Sequence, residues 1–398
     1  MKKYWKTILI SFVIVTTISS YYIQAARAIK NDISFKIETT SGNKEEIENL
    51  TLQASYSGDY FHRWLYISKD GSTDVSRESF IGNLGASYVP LTFQKYIKEH
   101  RNFMRGKDRD PREYFEDEAR LIYTTVPGDG WKVTEGDLLT LQIDILDKNT
   151  NDSSSFEINT PAQANYDWVN VNDVYVEEGK IKILAAGSLV NGGAELHIYT
   201  VDENSKELEQ DSIIAKTEPE EGIESYIRIF NDGFKIQNDN YYLYKVEKSK
   251  NRMGDAESEI ISSQMYLYNN STNEVEKLEI SDKLKPNMDR GVLHGADVFI
   301  PVYSAKDLEL NRYNIEKKQW EESLHFNFPS TANDEGEPIL QITDDKLYFV
   351  NRVSDSRSFF IGDLRTGESL YEGKIIGGNR ENLNTNYSLN IEQFYSTK

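Results

Sequence analysis

Four stretches of this chain follow one plan, and that plan restricts the fold more than any other feature. "LHIYTVDENSKELEQ" (196–210), "MYLYNNSTNEVEKLEI" (265–280), "LNRYNIEKKQWEESL" (310–324) and "FFIGDLRTGESLYEG" (359–373) each read as a strand, a polar turn and a second strand. The first strand of each reaches Tyr199, Tyr268, Tyr313 or Ile361, and the second carries Leu208, Leu278, Trp320 or Leu370. Upstream of each hairpin another strand begins, just after Gly179-Lys180, Asp239-Asn240, Ala296-Asp297 or Asp345-Lys346, with a related start after Gly136-Asp137. Less regular is "YFHRWLYISKDGSTDVSRESF", which follows Gly58-Asp59. These starts recur every 43 to 60 residues from Gly136 onward, a period that suits blades of four antiparallel strands. One small sheet cannot bury both faces, whereas sheets stacked around a ring can. The turn needs only to be polar and tight, so its sequence is expected to drift while its position holds.

Alternation elsewhere agrees. "ISFKIETTSG" (33–42), "GKIKILAAG" (179–187) and "DLLTLQIDIL" (137–146) alternate apolar and polar residues, as half-buried strands do. Asn191-Gly192 between two such runs is a strong hairpin signal. The 25 tyrosines suit strands with one wet and one dry side.

This organisation resembles the β-propeller superfamily over roughly Gly58 to Ile376, without a WD dipeptide or a kelch double glycine. The resemblance implies an all-β fold, a propeller of about six to seven blades with a small helical insertion. Tandem β-sandwich domains are the alternative. Together with its leader, the chain also resembles uncharacterised secreted or N-terminally anchored extracytoplasmic proteins of Gram-positive bacteria. Ring closure is expected from pairing "ISFKIETT" (33–40) with "YSLNIEQFYS" (387–396), because closure removes exposed sheet edges.

Residues 1–28 read as a signal peptide or a membrane anchor, leaving 29–398 as the propeller domain. "MKKYWK" is a basic start, "TILISFVIVTTI" an apolar run, and Ala26-Arg27-Ala28 a small-x-small cleavage site. If uncleaved, the uncharged stretch Thr7 to Ala26 is long enough to cross a bilayer. Either way the body is expected outside the cytoplasmic membrane, secreted or held at its outer face. Net charge is −20, more negative still once Lys2, Lys3, Lys6 and Arg27 are set aside. Such a body repels phosphate backbones, so nucleic acid is not an expected partner. The absence of cysteine removes disulfides, thiol catalysis and Cys-bound zinc.

One segment, residues 92–124, departs from the repeat. Phe93, Tyr96, Ile97, His100 and Met104 recur at helical spacing with Thr92 as N-cap, and Pro111 is placed to open a second short helix. Its first half is basic, with Lys95, Lys98, Arg101, Arg105, Lys107 and Arg109; its second half is acidic. Two helices neutralising each other on the surface is one reading, and a docking element over one mouth of the ring is the other. Lys95, Lys98, Arg101 and Arg105, with Trp131 and Trp168 near strand starts, are the candidate binding residues. Both tryptophans also fit blade packing.

No catalytic constellation is legible. His62, His100, His197, His294 and His325 lack metal-ligand spacing, and no G-x-S-x-G or phosphate loop appears. "DKNTND" (147–152) begins like a calcium loop, but Ile158 stands at the twelfth place, so a hairpin tip is the better account. Calcium has no support beyond that and no cofactor is predicted. The expected role is a non-catalytic binding module at the bacterial cell surface, recognising a protein or a cell-envelope glycan at one face of the ring. Membrane contact through residues 7–26 would require an uncleaved leader. A secreted enzyme acting on polysaccharide through channel carboxylates is the rival.

Overall fold

The computed structural model describes residues 5–28, 34–58, 61–75, 89–130, 132–190, 192–218, 220–230, 235–236, 239–250, 259–304, 307–327, 338–353, 356–377 and 387–396. Six small antiparallel sheets are present among the described residues. Strand β1 (Phe35–Gly42) comes first, and blade I takes β2 (Leu50–Gly58), β3 (Phe61–Ser68) and β4 (Gly71–Asp74). Helices α2 (Leu91–Glu99) and α3 (Arg101–Met104) follow, after the N-terminal α1 (Trp5–Ala28). Blade II holds β5 (Tyr114–Glu116), β6 (Arg120–Thr125), β7 (Leu138–Asp147) and β8 (Ser153–Pro161). Blade III holds β9 (Tyr166–Glu177), β10 (Lys180–Leu189), β11 (Ala194–Asp202) and β12 (Glu207–Lys216). Blade IV holds β13 (Ile223–Ile229), β14 (Tyr241–Lys250), β15 (Glu259–Asn269) and β16 (Glu274–Leu278). In blade V, β17 (Val292–His294), β18 (Asp297–Tyr303) and β19 (Asp307–Asn314) meet a split outer edge, β20 (Gln319–Trp320) and β21 (Leu324–Asn327). Blade VI runs β22 (Ile339–Thr343), β23 (Lys346–Val353), β24 (Ser356–Asp363) and β25 (Ser369–Gly377). The last strand is β26 (Tyr387–Ser396). The fold is an all-β propeller.

The second strand of each blade explains why the sheets stack. Along β10, Ile181, Ile183 and Ala185 join a core shared with blade II, while Leu184 and Ala186 join one shared with blade IV. Along β23, Leu347 and Phe349 face blade V, and Tyr348 and Val350 face blade I. A strand that is apolar on both faces needs a sheet against each. Burying one such side chain stabilises by about 1.5–3 kcal/mol.

The hairpin turns prove more specific than polar and tight. In five blades the residue opening the last turn is Asp147, Asp202, Asn269, Asn314 or Asp363, and its side chain accepts backbone N–H groups two or three residues on. Four residues later comes a positive φ, at Asn151, Lys206, Asn273, Lys318 and Gly367. Between them, Lys148, Glu203, Asn270, Ile315 and Leu364 each donate a backbone N–H to the blade's first turn, at Ala119, Gly179, Asn240, Ala296 and Asp345. An Asx side chain mimics a backbone turn, which is why the opening position does not drift. "DKNTND" is therefore the fifth member of the hairpin series.

Closure uses both chain ends, but not with each other as expected. β1 pairs with β25, from Phe35↔Gly377 to Gly42↔Tyr371, as a fifth strand of blade VI. β26 pairs with β2, from Leu50↔Ser396 to Gly58↔Tyr387, as the missing first strand of blade I. β26 is also clamped to blade VI. The Gln341 amide donates to the Phe394 carbonyl (3.1 Å) and accepts its N–H (2.9 Å), while Arg357 donates to the Leu389 carbonyl (3.1 and 2.6 Å).

Two expectations for residues 92–124 change. α2 starts at Leu91 behind Pro90, with no side-chain cap, so Thr92 lies inside the first turn. Pro111 opens only a 3-10 turn, Pro111–Glu113, and the acidic half is the β5–β6 hairpin. The reason is two-sided burial: Tyr114, Leu121 and Tyr123 face the helices, while Phe115 and Ile122 face blade III. The Asp117 carboxylate then takes the N–H groups of Ala119 and Arg120 across the turn. Phe93, Tyr96, Phe103 and Met104 are buried against blade II, so the helices form a wedge packed on its face opposite blade III. Blade I meets that wedge through Tyr66, whose hydroxyl donates to the Val89 carbonyl (3.2 Å) and accepts from Gln94 (2.7 Å).

In α1, Leu9, Ile10, Phe12, Val13, Ile14, Val15 and Ile18 are exposed. Among the described residues no helix is long and apolar enough to cross a membrane.

Candidate binding cleft

Where the wedge meets blades II and III, a cleft of about 1330 Å³ opens. Lining it are Ile97 of α2, α3 with the strap Arg105–Asp110, the 3-10 turn with Arg112 and Glu113, the β6 residues Tyr123 and Thr125, and Val169–Asn172 of β9. On β9 the alternation that buries Val169 and Val171 leaves Asn170 exposed and Asn172 half-buried.

The strap is fastened from below. Lys107 pairs with Asp144 at 2.6 Å and lies 4.3 Å above the Phe103 ring. The Tyr114 hydroxyl donates to the Asp108 carbonyl (2.6 Å). Burial works against the Asp144 anion, yet the Lys107 ammonium and the Ser155 and Gln142 side chains hold it below the usual carboxylate range. At the strap's end the Arg112 guanidinium forks onto Asp110 (2.9 and 3.0 Å), which raises its already high pKa.

Glu113 sits beside this fork. Burial pushes its carboxyl up to about 7, against the opposing pull of the Thr125 and Tyr123 hydroxyls, with Asp108 and Asp110 adding like-charge pressure. Thr125 donates to its Oε1 at 3.1 Å, and its buried Oε2 has no hydrogen-bond partner among the described residues. A carboxyl that changes charge near neutrality inside a cleft is a functional-site signal.

Of the candidate residues, the structure brings Arg101 and Arg105 to the cleft, both exposed and neither with a carboxylate partner among the described residues. Lys95 and Lys98 lie on α2, outside the lining. Trp168 is partly buried and packed against the core between blades III and IV. Trp131 lies outside the described residues. Sequence reasoning missed Glu113, Asn170 and Asn172. The asparagines had a signal, since Val169-Asn170-Val171-Asn172 alternates as a strand exposing one polar face.

A second constellation looks catalytic on paper. His197 Nδ1 lies 2.8 Å from Asp211 and its Nε2 lies 3.3 Å from Glu195, with the Tyr166 hydroxyl at 3.2 Å. But His197 is 2% and Glu195 1% exposed, inside the sheet. Tyr166 reaches them by lying over Gly187, where a Cβ would come within 2.7 Å of its ring. Here the polar groups tie β9, β11 and β12 together. Among the described residues no three His, Cys, Asp or Glu side chains are placed to hold a metal.

No family model and no curated protein matches this chain. Solved structures similar to it include TolB from Acinetobacter baumannii, at 12% identity and TM-score 0.32 over 83% of this chain and 64% of that one. Polysaccharide lyase Uly1 is similar at 9% identity and TM-score 0.36, over 81% of this chain and 70% of that one. The β-propeller domain of the Trilobed protease from Pyrococcus furiosus is similar at 11% identity and TM-score 0.27, over 84% of each. Likeness at these scores adds nothing to what the sheet topology already shows.

Proposed function

We propose that this chain is an extracytoplasmic binding module that takes an anionic ligand of the cell envelope in the cleft between the helical wedge and blades II and III. One observation carries this reading: among the described residues, Arg101 and Arg105 stand without carboxylate partners at the cleft of a chain whose net charge is −20. On so acidic a surface a free guanidinium pair is a local exception, and guanidinium geometry suits carboxylate and phosphate oxygens. The basic, apolar leader supports export. Calorimetric titration of the full chain with an acidic oligosaccharide tests it. Binding that weakens with salt and is lost in the Arg101→Ala/Arg105→Ala variant supports the reading; binding indifferent to that double change removes it.

Glu113 favours a second reading, an enzyme acting on an acidic polysaccharide. Its carboxyl at about 7 can exchange a proton during turnover. Release of reducing or unsaturated ends from such a polysaccharide, abolished by Glu113→Gln without loss of binding, would favour the enzyme. Binding with no product release favours the module.

A further inference from the structure

We infer that Glu113 is the specificity-determining group of the cleft: it meets an anionic oxygen of a hydroxyl-rich ligand, a carboxylate or a phosphate, and ligand and proton enter together. This rests on the anion-binding reading above. The guanidiniums of Arg101 and Arg105 supply attraction at the rim, but the cleft is not uniformly cationic. Asp108 and Asp110 belong to its lining, with Arg109 and Arg112 beside them. The ionised side chains of a polyanionic peptide have no hydrogen to donate to those two carboxylates. Sugar hydroxyls instead donate to them, and also pair with Asn102, Asn170 and Thr125, which both donate and accept. The mixture therefore fits a polyhydroxylated chain that carries separated negative charges.

Within that lining Glu113 is the group whose chemistry depends on its proton. Asp108, Asp110 and Arg112 come from its own segment, Tyr123 and Thr125 from β6, and only amides from β9. Arg101 comes from α3 and Arg105 from the strap, and Lys107 is engaged by Asp144 of β7. Ionised, Glu113, whose buried Oε2 lacks a hydrogen-bond partner among the described residues to offset its charge, would set that negative charge in the cleft wall against the incoming anion. Protonated, that carboxyl becomes a donor to the same oxygen, and the short donor–acceptor pair replaces a repulsion. Burial already holds Glu113 at the edge of ionisation near neutrality, so a bound anion tips it to the protonated form.

The test is calorimetric titration of the full chain from pH 5.5 to 8.5, in two buffers of different ionisation enthalpy. The probes are tetra-galacturonate for the carboxylate source, a glycerol-phosphate oligomer for the phosphate source, and oligo-glutamate for a peptide. The first two keep their charge across this range. The expected result is that one of those two binds, and that its affinity falls on the order of tenfold between pH 6 and pH 8, since only the protonated fraction competes. Wild type takes up about one proton on binding near pH 8, and Glu113→Gln binds with no pH dependence. Which probe binds identifies the source of the anion. Equal affinity across the range without proton uptake overturns the coupling and leaves the anion reading intact. Failure of every probe to bind wild type, or binding untouched by Arg101→Ala/Arg105→Ala, overturns the anion reading and this inference with it. Tighter binding of oligo-glutamate overturns the hydroxyl-rich ligand. Proton uptake is read on wild type, so the conclusion does not depend on how the variant folds.

Discussion

Glu195 and Glu113 both lose most of their water on folding, and they end on opposite sides of the ordinary carboxylate range. Burial works against the Glu195 anion, but Tyr166, Lys216 and His197 all bond to it and together hold its carboxyl low. Burial also works against Glu113, where two hydroxyls are too few and Asp108 and Asp110 push the same way, so its carboxyl rises to about 7. Depth does not decide between them; the number and sign of the partners do. One glutamate has become part of the scaffold, and the other keeps a group in reserve for something outside the chain.

The contrast can be broken most forcefully at Glu195. Glu195→Ala leaves Tyr166, His197 and Lys216 facing a hole in blade III, and a loss of about 3–5 kcal/mol is expected in urea unfolding. Because the Glu195 carboxyl is held low, its contribution stands above the ordinary carboxylate range and fades as pH falls through its lowered value. Glu113 should do the reverse. Its contribution is full below about 4.5 and is lost as pH rises through about 7, because the folded state then holds an ionised, poorly solvated carboxylate. Glu113→Gln is accordingly expected to stabilise the protein by about 2–3 kcal/mol at pH 8 and to do little at pH 4.5, read from unfolding curves at both. Thr125→Val removes the hydroxyl that favours the Glu113 anion. It should raise the Glu113 midpoint further and cost about 1 kcal/mol at pH 8 but less at pH 5. Smallest in stability is Arg101→Ala/Arg105→Ala, expected within about 0.5 kcal/mol because neither side chain has a carboxylate partner to lose, although ligand binding disappears.

The repeat was legible because a blade writes itself locally: the strand start, the aromatic end and the polar turn fall within one stretch of chain. Its phase was harder. The start after Gly136-Asp137 is a third strand of its blade, whereas the starts after Gly179, Asn240, Ala296 and Asp345 are second strands, so the shortest spacing in the series counted unlike elements. The β5–β6 hairpin was misread as helix because Tyr114, Phe115, Leu121, Ile122 and Tyr123 are buried on both faces, which erases the period-two pattern. Closure depends on partners more than three hundred residues apart in sequence, such as Tyr56 and Leu389, and no local pattern chooses between β1 and β26 for that place. In the cleft, Arg101 and Arg105 stood out as a charge exception. Glu113 could not, since nothing in "DPREYFED" tells which acid will be buried among hydroxyls and which will meet water.

The most direct test is a carbon-13 titration of the glutamate side-chain carboxyls in the full chain, with Glu113→Gln and Glu195→Gln used to assign the two signals. The account predicts that the Glu113 signal moves with a midpoint near 7, while that of Glu195 stays in its ionised position well below the usual carboxylate midpoint. A Glu113 signal that titrates at about 4.5, like an exposed glutamate, would contradict it.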